Sequence, residues 1–125
     1  MQTSTVKKNT LVLGASENPA RYSNMALHLL RQYGHPVEAI GHKKGLIDDV
    51  EIHTEWKLNK EIDTITLYLN PQNQKPYYTH IIAAAPKRVI FNPGTENEEL
   101  QEYLRKNNIP FMEACTLVLL HTGQF

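Results

Sequence analysis

The chain has 125 residues, 41% of them apolar, with 13 basic and 13 acidic side chains and a formal net charge of zero. That length suffices for one domain with its own core, and the balanced charge excludes the concentrated basic face that nucleic acids and anionic membrane surfaces require. The single cysteine, Cys115, excludes an internal disulfide, and no apolar run has the length of a transmembrane helix. Residues 1–9 are polar and lack the apolar core of a secretion signal. The expectation is a flexible tail over 1–9 and one cytoplasmic domain over 10–125.

Leu11-Val12-Leu13 reads as a short strand buried on both faces. It runs into Gly14-Ala15-Ser16-Glu17-Asn18-Pro19, and then Tyr22, Met25, Ala26, Leu29, Leu30 and Tyr33 recur at spacings of three and four. The spacing predicts a helix with Ser23 as its N-cap, ended by Gly34 and His35-Pro36. Val37 to Gly41 is the second strand, completing a βαβ unit. Between His42 and Ile62 the pattern weakens: Ile47, Val50 and Ile52 suit a short extra strand and Glu55 to Lys60 a helical turn.

Thr64 to Leu69 is a third strand rich in β-branched and aromatic residues. Asn70-Pro71 punctuates the chain, and Tyr78, Ile81, Ile82 and Ala85 line the next helix, with Pro76 in its first turn or at an irregular start. Arg88 to Phe91 is the fourth strand. Thr95 and Glu98 form a capping box for a helix whose inner stripe is Leu100, Tyr103 and Leu104. Ile109 to Met112 is a fifth strand, and Thr116 to Leu120 closes the chain as a C-terminal helix, with a strand as the alternative. Apolar runs alternating with helical patterns specify an α/β domain with a mostly parallel sheet of five or six strands.

In such sheets ligands bind beyond the carboxyl ends of the strands, where strand order reverses. Strand, small-residue turn and helix make a phosphate cradle, because glycine and alanine let main-chain N–H groups approach an anion and the helix N-terminus adds partial positive charge. The loop reads G-A-S-E-N-P rather than the dinucleotide fingerprint G-x-G-x-x-G. Ser16 adds a hydroxyl donor, Pro19 stiffens the turn, and Arg21 brings a donor fork. After the second strand an NAD-binding domain places an acid on the ribose 2′-hydroxyl. Here the chain reads Gly41-His42-Lys43-Lys44-Gly45, which suits a ribose carrying a further phosphate: the 3′-phosphate of coenzyme A or the 2′-phosphate of NADP. The alternative for these lysines is a solvated turn.

Asn92-Pro93-Gly94-Thr95-Glu96-Asn97 supplies a second helix start at the same edge, or simply a well-capped helix. The six histidines show none of the common metal-binding spacings, so no metal site is expected. Cys115 has no evident base beside it and reads as a small buried residue, and no serine sits in a G-x-S-x-G setting, so no catalytic residue is assigned.

Gly14-Ala15-Ser16 with Pro19 and Arg21, the break after Gly41, the segment Phe91 to Asn97, and Cys115-Thr116-Leu117-Val118 together resemble the small single-domain CoA-binding proteins. These are related to the CoA-binding N-terminal domain of succinyl-CoA synthetase α subunits. The resemblance implies a Rossmann-like, three-layer fold with helices on both faces that holds the CoA nucleotide across the strand ends. The chain departs from it where many members carry Asn-Pro after the second strand, here His42-Lys43-Lys44, and a glutamine before the later glycine, here Pro93. The ligase chemistry of the synthetases rests on a phosphorylated histidine in a separate domain and does not carry over.

The resulting expectation is a domain that binds coenzyme A or an acyl-CoA without a complete active site of its own. Its candidate ligand residues are Gly14, Ala15, Ser16, Pro19, Arg21, Ser23, Gly41, Lys43, Lys44, Asn70, Pro71, Asn92 and Gly94. Ala15 and Ser16 would hold the pyrophosphate, and Arg21, Lys43 and Lys44 would neutralise phosphates. Asn70 and Pro71 would flank the adenine, with Asn92 and Gly94 at the pantetheine entry. An NADP-dependent reductase, or a module with a degenerate nucleotide site that binds a protein partner, are the alternatives.

Overall fold

A computed structural model describes residues 6–125. Its single sheet has seven strands in the order β3-β4-β2-β1-β5-β6-β7. The strands are β1 Thr10–Ala15, β2 Val37–Gly41, β3 Gly45–Ile47, β4 Val50–His53, β5 Thr64–Leu67, β6 Arg88–Phe91 and β7 Phe111–Glu113. The helices are α1 Tyr22–Gln32, α2 Pro71–Gln74, α3 Tyr78–Ala84, α4 Glu98–Lys106 and α5 Thr116–His121, with a 3₁₀ turn over Lys75–Tyr77 between α2 and α3. Every pairing is parallel except β3 with β4.

The sheet exceeds the five or six strands expected because Gly45 to His53 folds as a hairpin, not as one extra strand. Asp48 turns it with a φ of 52°, a conformation that aspartate tolerates better than most residues. The third and fifth strands are also shorter or shifted relative to expectation, ending at Leu67 and starting at Phe111. No helical turn forms over 55–60. That stretch is an irregular strap whose Trp56 and Leu58 pack on the core, with Trp56 stacked on His80 at 5.2 Å and 14°.

Alternate residues of the strands feed two apolar layers. Leu11, Leu13, Ile65, Leu67, Val89 and Phe91 meet Ile81 of α3 and Leu100 and Leu104 of α4. On the opposite face Val12, Ala39 and Ile52 meet Leu27 and Leu30 of α1 and Leu120 of α5. The result is three layers with helices on both faces. Each fully buried aliphatic side chain contributes roughly 1.5–3 kcal/mol.

Helix ends explain several departures from the local sequence pattern. Arg21, not Ser23, is the N-cap of α1, and the buried residues are Ser23, Asn24, Ala26, Leu27 and Leu30, so the inner stripe lies one position away from that expected. Tyr22, Met25 and Tyr33 are exposed. Asn97, not Thr95, caps α4 by accepting from the N–H of Leu100 at 3.2 Å, and Tyr103 is 42% exposed rather than inward. The C-terminus of α1 is a Schellman motif, with Gly34 at φ 85° donating to Arg31 O and His35 to Leu30 O. Asn108 at φ 58° does the same for α4.

Of the tail expected over 1–9, residues 1–5 lie outside the described residues. Lys7 Nζ donates to Tyr33 O at 2.7 Å, the Lys8 N–H to His35 Nδ1 at 3.0 Å and Asn9 Nδ2 to Glu61 O at 2.8 Å. Burial, then the charges of Lys7, Lys8 and Arg88, hold the His35 imidazole below its usual range against the opposing pull of Asp63. The folded state therefore binds this proton more weakly than the unfolded chain. Stability from His35 is complete above the unfolded pKa, near 6.5, and is lost as pH falls below it. Melts between pH 7.5 and 5 should show Tm falling with acidity, and His35→Gln should flatten that slope; an unchanged slope would remove His35 as its origin.

Candidate functional site

Because six strands run the same way, the loops after β1, β2, β5, β6 and β7 share one edge. From β1 the chain proceeds outward through β2 and β4 on one side and, from β5, through β6 and β7 on the other. The order reverses between β1 and β5, which is where open α/β sheets offer a crevice.

The first βα loop borders that point. Gly14 has a φ of 104°, and a Cβ there would stand 2.9 Å from the Tyr68 carbonyl carbon, so only glycine lets β1 leave the sheet against the end of β5. Ala15 pairs with Gly41 across a register shift, and a Cβ on Gly41 would reach 2.3 Å from Ala15 O. Gly14, Ala15 and Gly41 thus close one tight corner. Beyond it, Ser16 Oγ accepts from the N–H of Asn18 at 3.1 Å, which leaves its own proton to donate elsewhere, and Asn24 Nδ2 holds Ser16 O at 2.9 Å. Pro19 and Arg21 are exposed, whereas Ser23 is buried in the first turn of α1. Arg21 supplies no side-chain cap, so the first-turn amides of this 11-residue helix lack a side-chain acceptor.

Lys43 and Lys44 lie in the loop that leaves this corner and are exposed, without a hydrogen-bond or ion-pair partner among the described residues. Glu17, to which sequence reasoning gave no role, joins the two loops: its Oε2 accepts from the N–H of Leu46 at 2.8 Å, immediately beyond the lysines. On the other side of the crevice Asn70 caps α2 through Asn73, and Pro71 occupies the first helical position.

The third loop is built from buried polar side chains. Asn92 donates from Nδ2 to Thr66 Oγ1 at 2.7 Å and to Leu67 O at 2.8 Å, while its Oδ1 accepts from the N–H of Thr116 at 2.8 Å. Its side chain is therefore a strut beneath the edge, with both amide protons engaged. Thr66 and Thr116 share a 2.8 Å hydroxyl bond. Burial pushes the Tyr68 phenol up to about 12, which keeps it neutral. Pro93 and Gly94, at φ 91°, take the middle positions of a turn closed by the Thr95 N–H on Asn92 O, the residue order of a type II turn. Gln74, fully buried, ties this loop to α2 by donating to Leu69 O and Thr95 O and accepting from Asn97.

Cys115 is half-buried and stands at the N-cap of α5 without a side-chain cap bond. Among the described residues no group of three His, Cys, Asp or Glu could hold a metal ion, and no helix is long and apolar enough to cross a membrane. Depressions of about 360 Å³, beside Trp56, His80 and Ala83, and about 160 Å³, beside Pro36 and Glu38, lie toward the opposite strand ends. Neither borders the first βα loop.

The chain matches the model of the CoA binding domain over residues 8–121. A crystal structure of an uncharacterized protein is 47% identical with a TM-score of 0.92, covering 96% of this chain and 99% of that one. A conserved hypothetical protein of Pyrococcus furiosus is 29% identical with a TM-score of 0.78, over 90% and 98% of the two chains. The dinucleotide-forming acetyl-coenzyme A synthetase 1 of Ca. Korarchaeum cryptofilum is 18% identical with a TM-score of 0.64, over 94% of this chain and 24% of that one, a likeness of fold alone. No curated protein matches.

Proposed function

Since the chain belongs to the CoA-binding domain family, we propose that it binds coenzyme A or an acyl-CoA through the nucleotide, along the edge where β1, β2 and β5 end. The observation that supports this reading is the corner itself: Ala15 pairs with Gly41, α1 begins beyond it without a side-chain cap, and the exposed Lys43 and Lys44, without a partner among the described residues, follow Gly41. The N–H groups of Ala15 and Ser16 and the Ser16 hydroxyl hold the pyrophosphate. Arg21 neutralises it from the exposed helix start, and Lys43 and Lys44 take the ribose 3′-phosphate. Asn70 and Pro71 flank the adenine across the switch point. Gly94 opens the path of the pantetheine arm, while Asn92 acts through the turn it holds. The domain supplies binding and no complete catalytic set.

Ligand-dependent melting tests this reading, because a ligand that binds only the folded state raises Tm. CoA should raise Tm, dephospho-CoA should raise it less, and the difference should shrink with added salt. A response to NADP alone would transfer the lysines to a 2′-phosphate. Silence towards CoA, dephospho-CoA, NADP and NAD would favour a degenerate site serving a protein partner.

A further inference from the structure

The loop carrying Lys43 and Lys44 is fastened at both ends. It starts at Gly41, locked against Ala15, and ends at Leu46, whose N–H is held by Glu17. The hairpin behind it is also gripped by α1, through His28 Nδ1 on Asp48 at 2.7 Å and Arg31 on Asp49 at 2.7 Å. Beyond Gly41, Glu17 provides the contact that comes from the phosphate loop itself. Gly45 makes room for it: a Cβ there would lie 2.5 Å from Glu17 Cδ and 2.8 Å from Oε2. The backbone at Gly45 has no positive φ, so the carboxylate, not the chain conformation, is what alanine would encounter there.

An acid between two phosphate-binding loops is electrostatically unfavourable for a polyanionic ligand. Its contact with Leu46 supplies an opposing gain, ordering of the three-residue lysine loop, because a pre-ordered loop loses less conformational entropy on binding. We infer that Glu17 is a positioning residue that sets the Lys43–Lys44 loop for the ligand's ribose phosphate and so favours CoA over dephospho-CoA. This rests on the CoA reading above.

The test measures CoA and dephospho-CoA affinities by titration calorimetry for the wild type, Glu17→Ala, Glu17→Gln and Gly45→Ala. Glu17→Ala should weaken CoA by roughly five- to tenfold, the scale of one ordinary net hydrogen bond, and leave dephospho-CoA within about twofold. Glu17→Gln keeps an oxygen for the Leu46 N–H and should restore most of the CoA affinity. Gly45→Ala should reproduce Glu17→Ala by displacing the carboxylate, without lowering Tm in the absence of ligand, since the displaced atoms end a flexible side chain. Equal losses for both ligands, or tighter CoA binding by both Glu17 variants, would overturn the inference, the latter by showing that repulsion outweighs ordering. A wild type that binds no CoA would end the parent reading, whereas a wild type that binds CoA with Glu17→Ala unchanged would end only this one.

Discussion

Replacing Asn92 with alanine should destabilise the protein by about 3 kcal/mol, the largest effect expected from any single polar side chain at this edge. Asn92 is 2% exposed, and all its hydrogen-bonding groups are engaged, joining β5, β6 and the first turn of α5. Truncation strands the Thr116 N–H without its partner, removes the amide bonds to Thr66 Oγ1 and Leu67 O, and leaves a small void between two strands and a helix. A buried unsatisfied group costs about 1–3 kcal/mol, so the stranded N–H, the two lost amide bonds and the void together give that total. For a domain of this size it corresponds to a fall in Tm of roughly 10 °C. Urea unfolding should show a lower midpoint at constant slope. A change under about 0.5 kcal/mol would mean that water fully replaces the amide.

The same residue marks the boundary of what the sequence makes legible. An asparagine after a strand and before Pro-Gly looks like a ligand residue, and nothing nearby in sequence reveals that Thr66 and Thr116, 26 and 24 residues away, saturate it. The βαβ unit, β6, α4 and α5 were readable because burial on one or two faces writes a period into the sequence. The hairpin over 45–53 was not, since three- and four-residue strands carry too few alternations. The strap over 54–62 deceived for a related reason: Trp56 and Leu58 are apolar because they cover the core, and they do so without any regular structure. Capping failed where tertiary partners decide. Thr95 and Asn97 are both competent caps, but Thr95 Oγ1 is drawn back to Asn92 O at 2.7 Å, and Asn97 gains Gln74 and Tyr78 as further partners.

Glu17 shows the opposite case, a residue in plain view within the most informative motif of the chain whose partner could not be inferred. Its bond to Leu46 crosses 29 residues and depends on the hairpin that the pattern did not disclose. Once the hairpin is known, the spacing of Gly41 and Gly45 around the lysines acquires a reason: each glycine admits an atom of the first βα loop, Ala15 O at one end and the Glu17 carboxylate at the other. The lysine loop is therefore part of the phosphate corner and not an independent surface turn.

Reversing both of its charges, Lys43→Glu with Lys44→Glu, should weaken CoA by roughly 10- to 100-fold at low salt and dephospho-CoA by no more than about threefold. An exposed ion pair is worth about 0.2–1 kcal/mol, and reversal replaces each attraction with a repulsion of similar size, so two reversals amount to roughly 1–4 kcal/mol. The loss should shrink as ionic strength rises, because solvent-exposed charges are screened over about 10 Å at 0.1 M salt. Stability without ligand should stay within about 1 °C of wild type, since both side chains are exposed and contact no partner among the described residues. Calorimetric titrations at two salt concentrations read all of these quantities together. Equal losses for the two ligands would mean that the lysines act on the pyrophosphate or through the general field of the edge, and the 3′-phosphate would then have to be met by Arg21, the remaining exposed cation of the corner.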